Sequence, residues 1–196
     1  MRIAKRLGLV LLTVCAFSAL AVSSASAAPK FLSHPAGALL SATAGNVQVF
    51  KTKAGSVECS ALKLLPPDTT PALEATHLLV VVDYEKCKVF GILNATIHPA
   101  RYLFAASGLV LLENTVLILA EQGCIITVLG NQDLWTVKYT NNATNGSVLI
   151  TSAVTGIKSF GVGGPESLCA YSEESVGTYT GSTVTKIAGG VIRWDP

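Results

Sequence analysis

The chain has 196 residues and a formal charge of +2, and only 13% of its residues are charged. Three of its fourteen basic residues, Arg2, Lys5 and Arg6, lie at the very start, so residues 28–196 carry eleven Lys and Arg against twelve Asp and Glu. The basic residues form no cluster that would neutralise phosphates, so the composition excludes a typical nucleic-acid-binding protein.

The first 27 residues have the pattern of a signal peptide. The basic start is followed by an uncharged apolar stretch at residues 7–22 and by small residues that end in Ala25-Ser26-Ala27, which fits the A-x-A cleavage rule. A membrane anchor is the alternative, but the apolar stretch is shorter than the ~20 residues that a bilayer requires. We therefore expect cleavage before Ala28 and a protein that is secreted or held at the cell surface, with membrane contact only through the leader.

After the leader, residues 28–45 are weakly patterned, and residues 46–196 alternate short apolar runs with turn signals. Lys53-Ala54-Gly55 and Asn145-Gly146 are typical of hairpin turns. The proline-rich stretch at residues 65–71 predicts a loop, because proline lacks the amide proton that a strand ladder needs. The predicted strands are 46–52, 56–64, 76–84, 87–97, 101–106, 109–112, 116–120, 124–129, 134–140, 147–159, 168–172, 177–187 and 191–194.

Turn signals every eight to twelve residues, without an amphipathic helix of useful length, are typical of β-sandwiches and barrels. We predict one all-β domain, an antiparallel sandwich, over residues 46–196, preceded by a weakly structured segment at 28–45. Residues 78–82 are apolar on both faces and predict a central strand. Alternation places Val57, Cys59 and Ala61 on one face of their strand.

The cysteines predict two disulfides. Cys15 lies in the leader, and Val14 before it is too large for a lipoprotein acceptor site. The remaining four, Cys59, Cys87, Cys124 and Cys169, form an even set in an exported chain, which is typical of disulfide pairing. Their wide spacing argues against a zinc site, so no metal is expected. Of the three possible connectivities we favour Cys59–Cys87 and Cys124–Cys169, because consecutive strands are usually neighbours.

No combination of residues points to catalysis. The G-x-S-x-G motif is absent, and the histidines are isolated from one another: His34, His77 and His98. A serine hydrolase would need one of them beside a serine and an acid such as Asp83 or Asp133. Asp83 and Glu85 share one face of a strand, but Lys86 and Lys88 are adjacent, so a solvated turn is the simpler interpretation. No cofactor is expected.

Aromatic residues offer a platform for stacking on sugar rings. Trp135 and Tyr139 share a face with Val137, which favours core packing for both. Trp194, close to the end of the chain, is the best candidate for a surface ring. We therefore name Trp194, Tyr171 and Tyr179 as candidate ligand-binding aromatics.

Several sequence pieces occur in an order that resembles a family of exported β-rich actinobacterial proteins with no established activity. They are residues 47–59 (VQVFKTKAGSVEC), 87–91 (CKVFG), 101–104 (RYLF), 124–128 (CIITV), 137–142 (VKYTNN) and 177–181 (GTYTG). The resemblance implies export and a β-rich fold, but no catalytic residue. Members often carry a further cysteine on each side of the Tyr-Leu-Phe piece, where this chain has Ala100 and Leu111-Leu112, which fits the loss of one disulfide.

These observations predict a secreted or envelope-associated protein that is not an enzyme and has a structural or binding role. Its expected partner is a cell-wall or surface glycan, or another envelope protein. Two alternatives remain open: a module that binds carbohydrate or a cell-surface ligand, and a secreted hydrolase that uses His77 or His98.

Overall fold

The computed structural model describes residues 27–66, 72–135, 137–163 and 169–196. Residues 1–26 of the predicted signal peptide, with Cys15 among them, lie outside these ranges, and so do residues 67–71 of the proline-rich loop. The described residues contain one turn of 3-10 helix, Glu121–Gly123, and no helix that is long and apolar enough to cross a membrane. They form sixteen strands: β1 Lys30–His34, β2 Leu40–Ala44, β3 Gln48–Lys51, β4 Ser56–Leu64, β5 Glu74–Ala75, β6 His77–Val89, β7 Leu93–Ile97, β8 Ala100–Ala105, β9 Val110–Leu112, β10 Val116–Ala120, β11 Cys124–Val128, β12 Gln132–Leu134, β13 Val137–Asn142, β14 Ser147–Val162, β15 Tyr171–Ile187 and β16 Val191–Asp195.

Eight strands form a closed antiparallel barrel. Around the ring, β6 pairs with β4, then follow β3, β15, β14, β11, β10 and β7, and β7 pairs with β6 again. The all-β class is thus confirmed, whereas the predicted sandwich is not the arrangement found. The sheet closes on itself because Cys87–Val89 at the end of β6 pairs with Leu93–Ala95 of β7.

Three long strands, β6, β14 and β15, extend the barrel beyond this ring. Each of them pairs along one edge with two shorter strands, one after the other. β6 pairs with β8 over His77–Val82 and with β7 nearer its end. In the same way β14 pairs with β13 and β11, and β15 pairs with β2 and β3. β9 and β12 continue the sheet outward from β8. β2 also lies beside β4, but no backbone hydrogen bond joins these two described strands.

Alternation along the strands fills the interior with apolar side chains. In β6, Leu78, Val80 and Val82 are buried, while Leu79 and Val81 are half-buried, as expected for a central strand. Lys86 has a left-handed backbone (φ 54°), and beyond it Cys87 and Val89 are buried instead of the even-numbered positions. The alternation of β4 changes at the same level, so that Leu62, rather than the predicted Ala61, is buried together with Val57 and Cys59.

Residues 28–45 are better ordered than their weak pattern predicts, because they contain β1 and β2. β1 pairs with β16 and β5 in a separate three-stranded sheet. Its Phe31 is fully buried and contacts Tyr139 edge-on, with the ring centroids 5.0 Å apart. The aromatic contact attaches this small sheet to β13 of the large one.

Both disulfides have the favoured connectivity. Cys59 and Cys87 are directly opposite each other on β4 and β6, and Cys124 of β11 is joined to Cys169, which precedes β15. All four cysteines are buried. The first bridge lies where β6 changes partner from β8 to β7, so it holds the branch point of the barrel together.

Each disulfide is expected to contribute strongly to stability. The bridged residues are 28 and 45 positions apart, for which the chain-entropy model gives about 3.5 and about 4 kcal/mol respectively. The variants Cys59→Ala/Cys87→Ala and Cys124→Ala/Cys169→Ala should therefore each lower the free energy of unfolding by amounts of this order in urea titrations. The surface variant Ser60→Ala is the control. Unchanged denaturation midpoints in both double variants would contradict a stabilising role.

Candidate functional site

The barrel contains a cavity of about 120 Å³. Each of the thirteen strands of the large sheet contributes at least one side chain to its wall, and most of these side chains are apolar. Many of them are short, such as Ala42, Val80 and Val154, and therefore do not reach the barrel axis. An eight-stranded barrel is just wide enough to be filled by side chains or to hold one small ligand. Because several of the inward side chains are short, this barrel has room for one small ligand.

One part of the cavity wall is polar and consists of Gln48, Tyr84, Tyr102 and Tyr179, which we call the tyrosine cluster. The hydroxyl oxygens of Tyr84 and Tyr102 are 3.1 Å apart, and the Tyr84 hydroxyl donates to that of Tyr179 at 3.4 Å. The Tyr179 hydroxyl donates to Oε1 of Gln48 at 2.5 Å. Strands β3, β6, β8 and β15 thus bring four polar side chains into one chain of hydrogen bonds.

Gln48 is the fixed end of the tyrosine cluster. Its side chain is almost completely buried, and its Nε2 donates to the backbone oxygens of Asn46 at 2.7 Å and Ser182 at 2.8 Å. Both amide hydrogens are therefore used, and Oε1 is held toward Tyr179. Gly181 makes room for this amide, since a Cβ at position 181 would lie 2.1 Å from Oε1 of Gln48.

The phenols of the tyrosine cluster are held in their neutral form. Burial raises the pKa of Tyr84 well above its ordinary value, and the neighbouring Tyr102 and Tyr179 raise it further. Burial likewise raises the pKa of Tyr102 and of Tyr179. At neutral pH these phenols stay protonated and form hydrogen bonds without transferring a proton, which suits the recognition of a ligand.

The three aromatic residues predicted to bind a ligand lie in different surroundings. Tyr179 is in the cavity wall, and the Tyr171 hydroxyl is 2.9 Å from Oγ of Ser159. The Trp194 ring packs on Tyr139 with centroids 5.8 Å apart, and its Nε1 donates to the Ala106 oxygen at 2.8 Å. None of these contacts joins the three rings to one another.

Trp135 is the exposed indole of the chain, contrary to the predicted core position. Its exposed fraction is 61%, whereas Val137 and Tyr139 are buried as predicted. Trp135 lies in the connection between β12 and β13, so the alternation that begins at Val137 does not extend back to it. The hydroxyl of Tyr139 donates to the Ala105 oxygen at 2.8 Å and does not line the cavity.

The residues considered for catalysis lie outside the cavity. His34, His77 and His98 are exposed, and none of them lines the cavity. The carboxylates of Asp83 and Glu85 both form ion pairs with Lys63 on the neighbouring strand. The described residues contain no group of three or more His, Cys, Asp or Glu side chains arranged to hold a metal ion.

Comparisons of the chain with protein-family models, with curated proteins and with solved structures gave no match. The cavity and the tyrosine cluster therefore have to be interpreted from their own chemistry.

The raised tyrosine pKa values predict a loss of stability at alkaline pH. Below about pH 10 both the folded and the unfolded chain keep these protons, whereas above it the unfolded chain releases them and the folded chain retains them. The free energy of unfolding should then fall by up to about 1.4 kcal/mol per pH unit for each tyrosine that stays protonated. Near-ultraviolet absorbance should show less tyrosinate at about pH 11 in the native protein than in urea, and coincident titrations would contradict this prediction.

The variant Gly181→Ala should displace the Gln48 side chain. The new methyl group takes the place of Oε1, so the hydrogen bonds of Gln48 are disturbed, at a cost of about 1–3 kcal/mol in unfolding free energy. Thr180→Ala, an exposed position on the same strand, is the control. In a Gln48→Ala background the effect of Gly181→Ala should shrink. An equal effect in both backgrounds would show that the two residues are not coupled.

Proposed function

We propose that this chain is an exported, non-catalytic binding protein that holds a small, mainly apolar molecule inside its barrel. The observation that carries the proposal is the cavity, whose mainly apolar wall contains the tyrosine cluster and the hydroxyl groups of Ser152, Thr183 and Thr185. Ligand sites generally combine these two features, since apolar walls give affinity and a few fixed polar groups give orientation.

The size of the cavity limits the ligand. An engineered cavity of about 150 Å³ lined by apolar side chains binds benzene, so a cavity of about 120 Å³ suits a molecule of about six or seven non-hydrogen atoms at most. A void of this volume lowers stability by about 3 kcal/mol relative to a filled core. That is a considerable part of the ~5–15 kcal/mol that stabilises a domain, and an occupant of the cavity offsets it.

The disulfides support the exported location. Cytosolic thiols are kept reduced, and paired structural cysteines are typical of proteins outside the cytoplasm. The sequence of residues 1–27 supports the same location through its signal-peptide pattern. We infer that the protein acts as a secreted or cell-surface protein.

Two features support binding without turnover. The wall of the cavity includes neutral phenols, an amide and hydroxyl groups, but none of the described histidines or carboxylates. In addition, the raised pKa values of the phenols make them poor proton donors and poor proton acceptors at neutral pH. Glycan or envelope-protein partners remain an alternative, for which the exposed ring of Trp135 is the natural contact.

Toluene is a suitable probe for the cavity. We expect isothermal titration calorimetry to show one toluene per chain and thermal denaturation to show a raised midpoint in its presence, because ligand binding to the folded state stabilises it. Val154→Phe places a ring in the cavity and should abolish binding. Thr155→Phe, on the outer face of the same strand, should leave it unchanged.

A second variant that fills the cavity keeps the test valid if Val154→Phe does not fold. Ala42→Leu adds three carbons to another part of the wall and should weaken toluene binding in a protein that remains folded. If toluene does not bind to the folded wild-type protein, or binds to both filling variants as tightly as to the wild type, the interior site is wrong.

A further inference from the structure

The hydrogen bonds of the tyrosine cluster run in one direction. Both amide hydrogens of Gln48 go to backbone oxygens, so its Oε1 is an acceptor, and the Tyr179 hydroxyl donates to it. A phenol has one hydrogen to donate. Tyr179 therefore has none left for Tyr84, and the Tyr84 hydroxyl donates to Tyr179.

The geometry allows either hydroxyl to be the donor between Tyr84 and Tyr102, and the same count favours one direction. The hydrogen of Tyr84 is used toward Tyr179, so Tyr102 donates across the 3.1 Å contact to Tyr84. In this arrangement all three phenolic hydrogens have acceptors. The reverse direction at Tyr102 leaves a phenolic hydrogen without an acceptor in an apolar cavity, at a cost of about 1–3 kcal/mol.

Tyr102 is the open end of this chain of hydrogen bonds. Its oxygen donates to Tyr84 and accepts no hydrogen bond from any residue in the described part of the chain. Tyr102 lines the cavity beside Phe104, whose ring centroid is 5.8 Å from its own. An unused acceptor thus lies at the cavity surface, in a wall whose other polar side chains outside the tyrosine cluster are the hydroxyls of Ser152, Thr183 and Thr185.

We propose that the cavity selects small apolar alcohols, whose hydroxyl group donates a hydrogen bond to the oxygen of Tyr102. This inference rests on the proposed binding function and adds the chemical class of the ligand. A hydroxyl ligand gains a hydrogen bond while all those of the tyrosine cluster are kept. A ketone of the same size has only an acceptor, and to bond with it Tyr102 must withdraw its hydrogen from Tyr84.

The test compares cyclohexanol with cyclohexanone, which have the same number of non-hydrogen atoms, and uses toluene as an apolar reference. Calorimetric titration of the wild-type protein should give about tenfold tighter binding of the alcohol than of the ketone, the ratio that one net hydrogen bond provides. Tyr102→Phe keeps the ring and removes the acceptor. It should weaken alcohol binding about tenfold and leave toluene binding unchanged.

Two further variants test whether the direction of the hydrogen bonds causes the preference for the alcohol. Tyr139→Phe removes a phenolic hydroxyl outside the cavity wall and should keep the wild-type ratio. Tyr84→Phe removes the acceptor of the Tyr102 hydrogen, so this hydrogen becomes available to a ligand and binding of the ketone should improve relative to the alcohol. Tyr84→Phe also keeps the test decisive if Tyr102→Phe does not fold.

The outcomes separate this inference from the proposed function. If toluene binds but the alcohol-to-ketone ratio is the same in the wild type, Tyr102→Phe and Tyr84→Phe, selection by Tyr102 is wrong and the interior site stands. If none of the three probes binds the folded wild-type protein, the proposed function itself is wrong.

Discussion

The pairing of Cys87–Val89 with β7 is the contact on which the interior of this protein depends, because it closes the sheet into a ring. The contact forms where β6 leaves β8, and Lys86, with its left-handed backbone, changes which residues of β6 point inward at this place. On its other side Cys87 is opposite Cys59 of β4, and the disulfide joins these two residues covalently. The change of β6 from partner β8 to partner β7, the change in its alternation and the disulfide therefore occur at the same place. The barrel is held closed at the point where its sheet branches.

A polar group inside this barrel is acceptable only because each of its members has a partner. Burying a phenol or an amide without a hydrogen bond costs several times what one such bond contributes. Gln48 removes that cost for its own amide by donating to two backbone oxygens, and it supplies the acceptor for Tyr179. Tyr102 forms the end of this hydrogen-bonded group, since its hydroxyl contacts that of Tyr84 and no other side chain of the group.

The sequence predicted those features that follow from local patterns. Alternation and turn residues predicted the hairpin of β3 and β4, most of the strands and the all-β class, and the rule that consecutive strands pair predicted both disulfides. Closure was not predictable, since it depends on contacts between β6 and β7 across a turn at residues 90–92 that has no strong turn dipeptide. The single predicted strand from residue 87 to 97 is divided there.

The candidate site was harder to predict, because its residues break the patterns. The apolar residues Val47, just before β3, and Val49 flank Gln48, so hydrophobicity alone assigns Gln48 to the outer face, whereas the structure buries it. The reason is tertiary: Gly181, far away in the sequence, leaves the space that the amide fills. The sequence predicts Tyr179 as a candidate ligand-binding aromatic, but the pattern of its strand gives no indication that its ring lies in the wall of an interior cavity.

The side-by-side position of β2 and β4 has a consequence for where the barrel wall can part. In the described residues the two strands touch without sharing backbone hydrogen bonds, and Ala42, Leu62 and Leu64 from these strands line the cavity. Within the eight-stranded ring each strand is joined to its neighbours by ladder bonds, so parting the ring means breaking several at once. Between β2 and β4 only side-chain packing has to yield, so separating these two described strands breaks fewer backbone hydrogen bonds than separating neighbours within the ring.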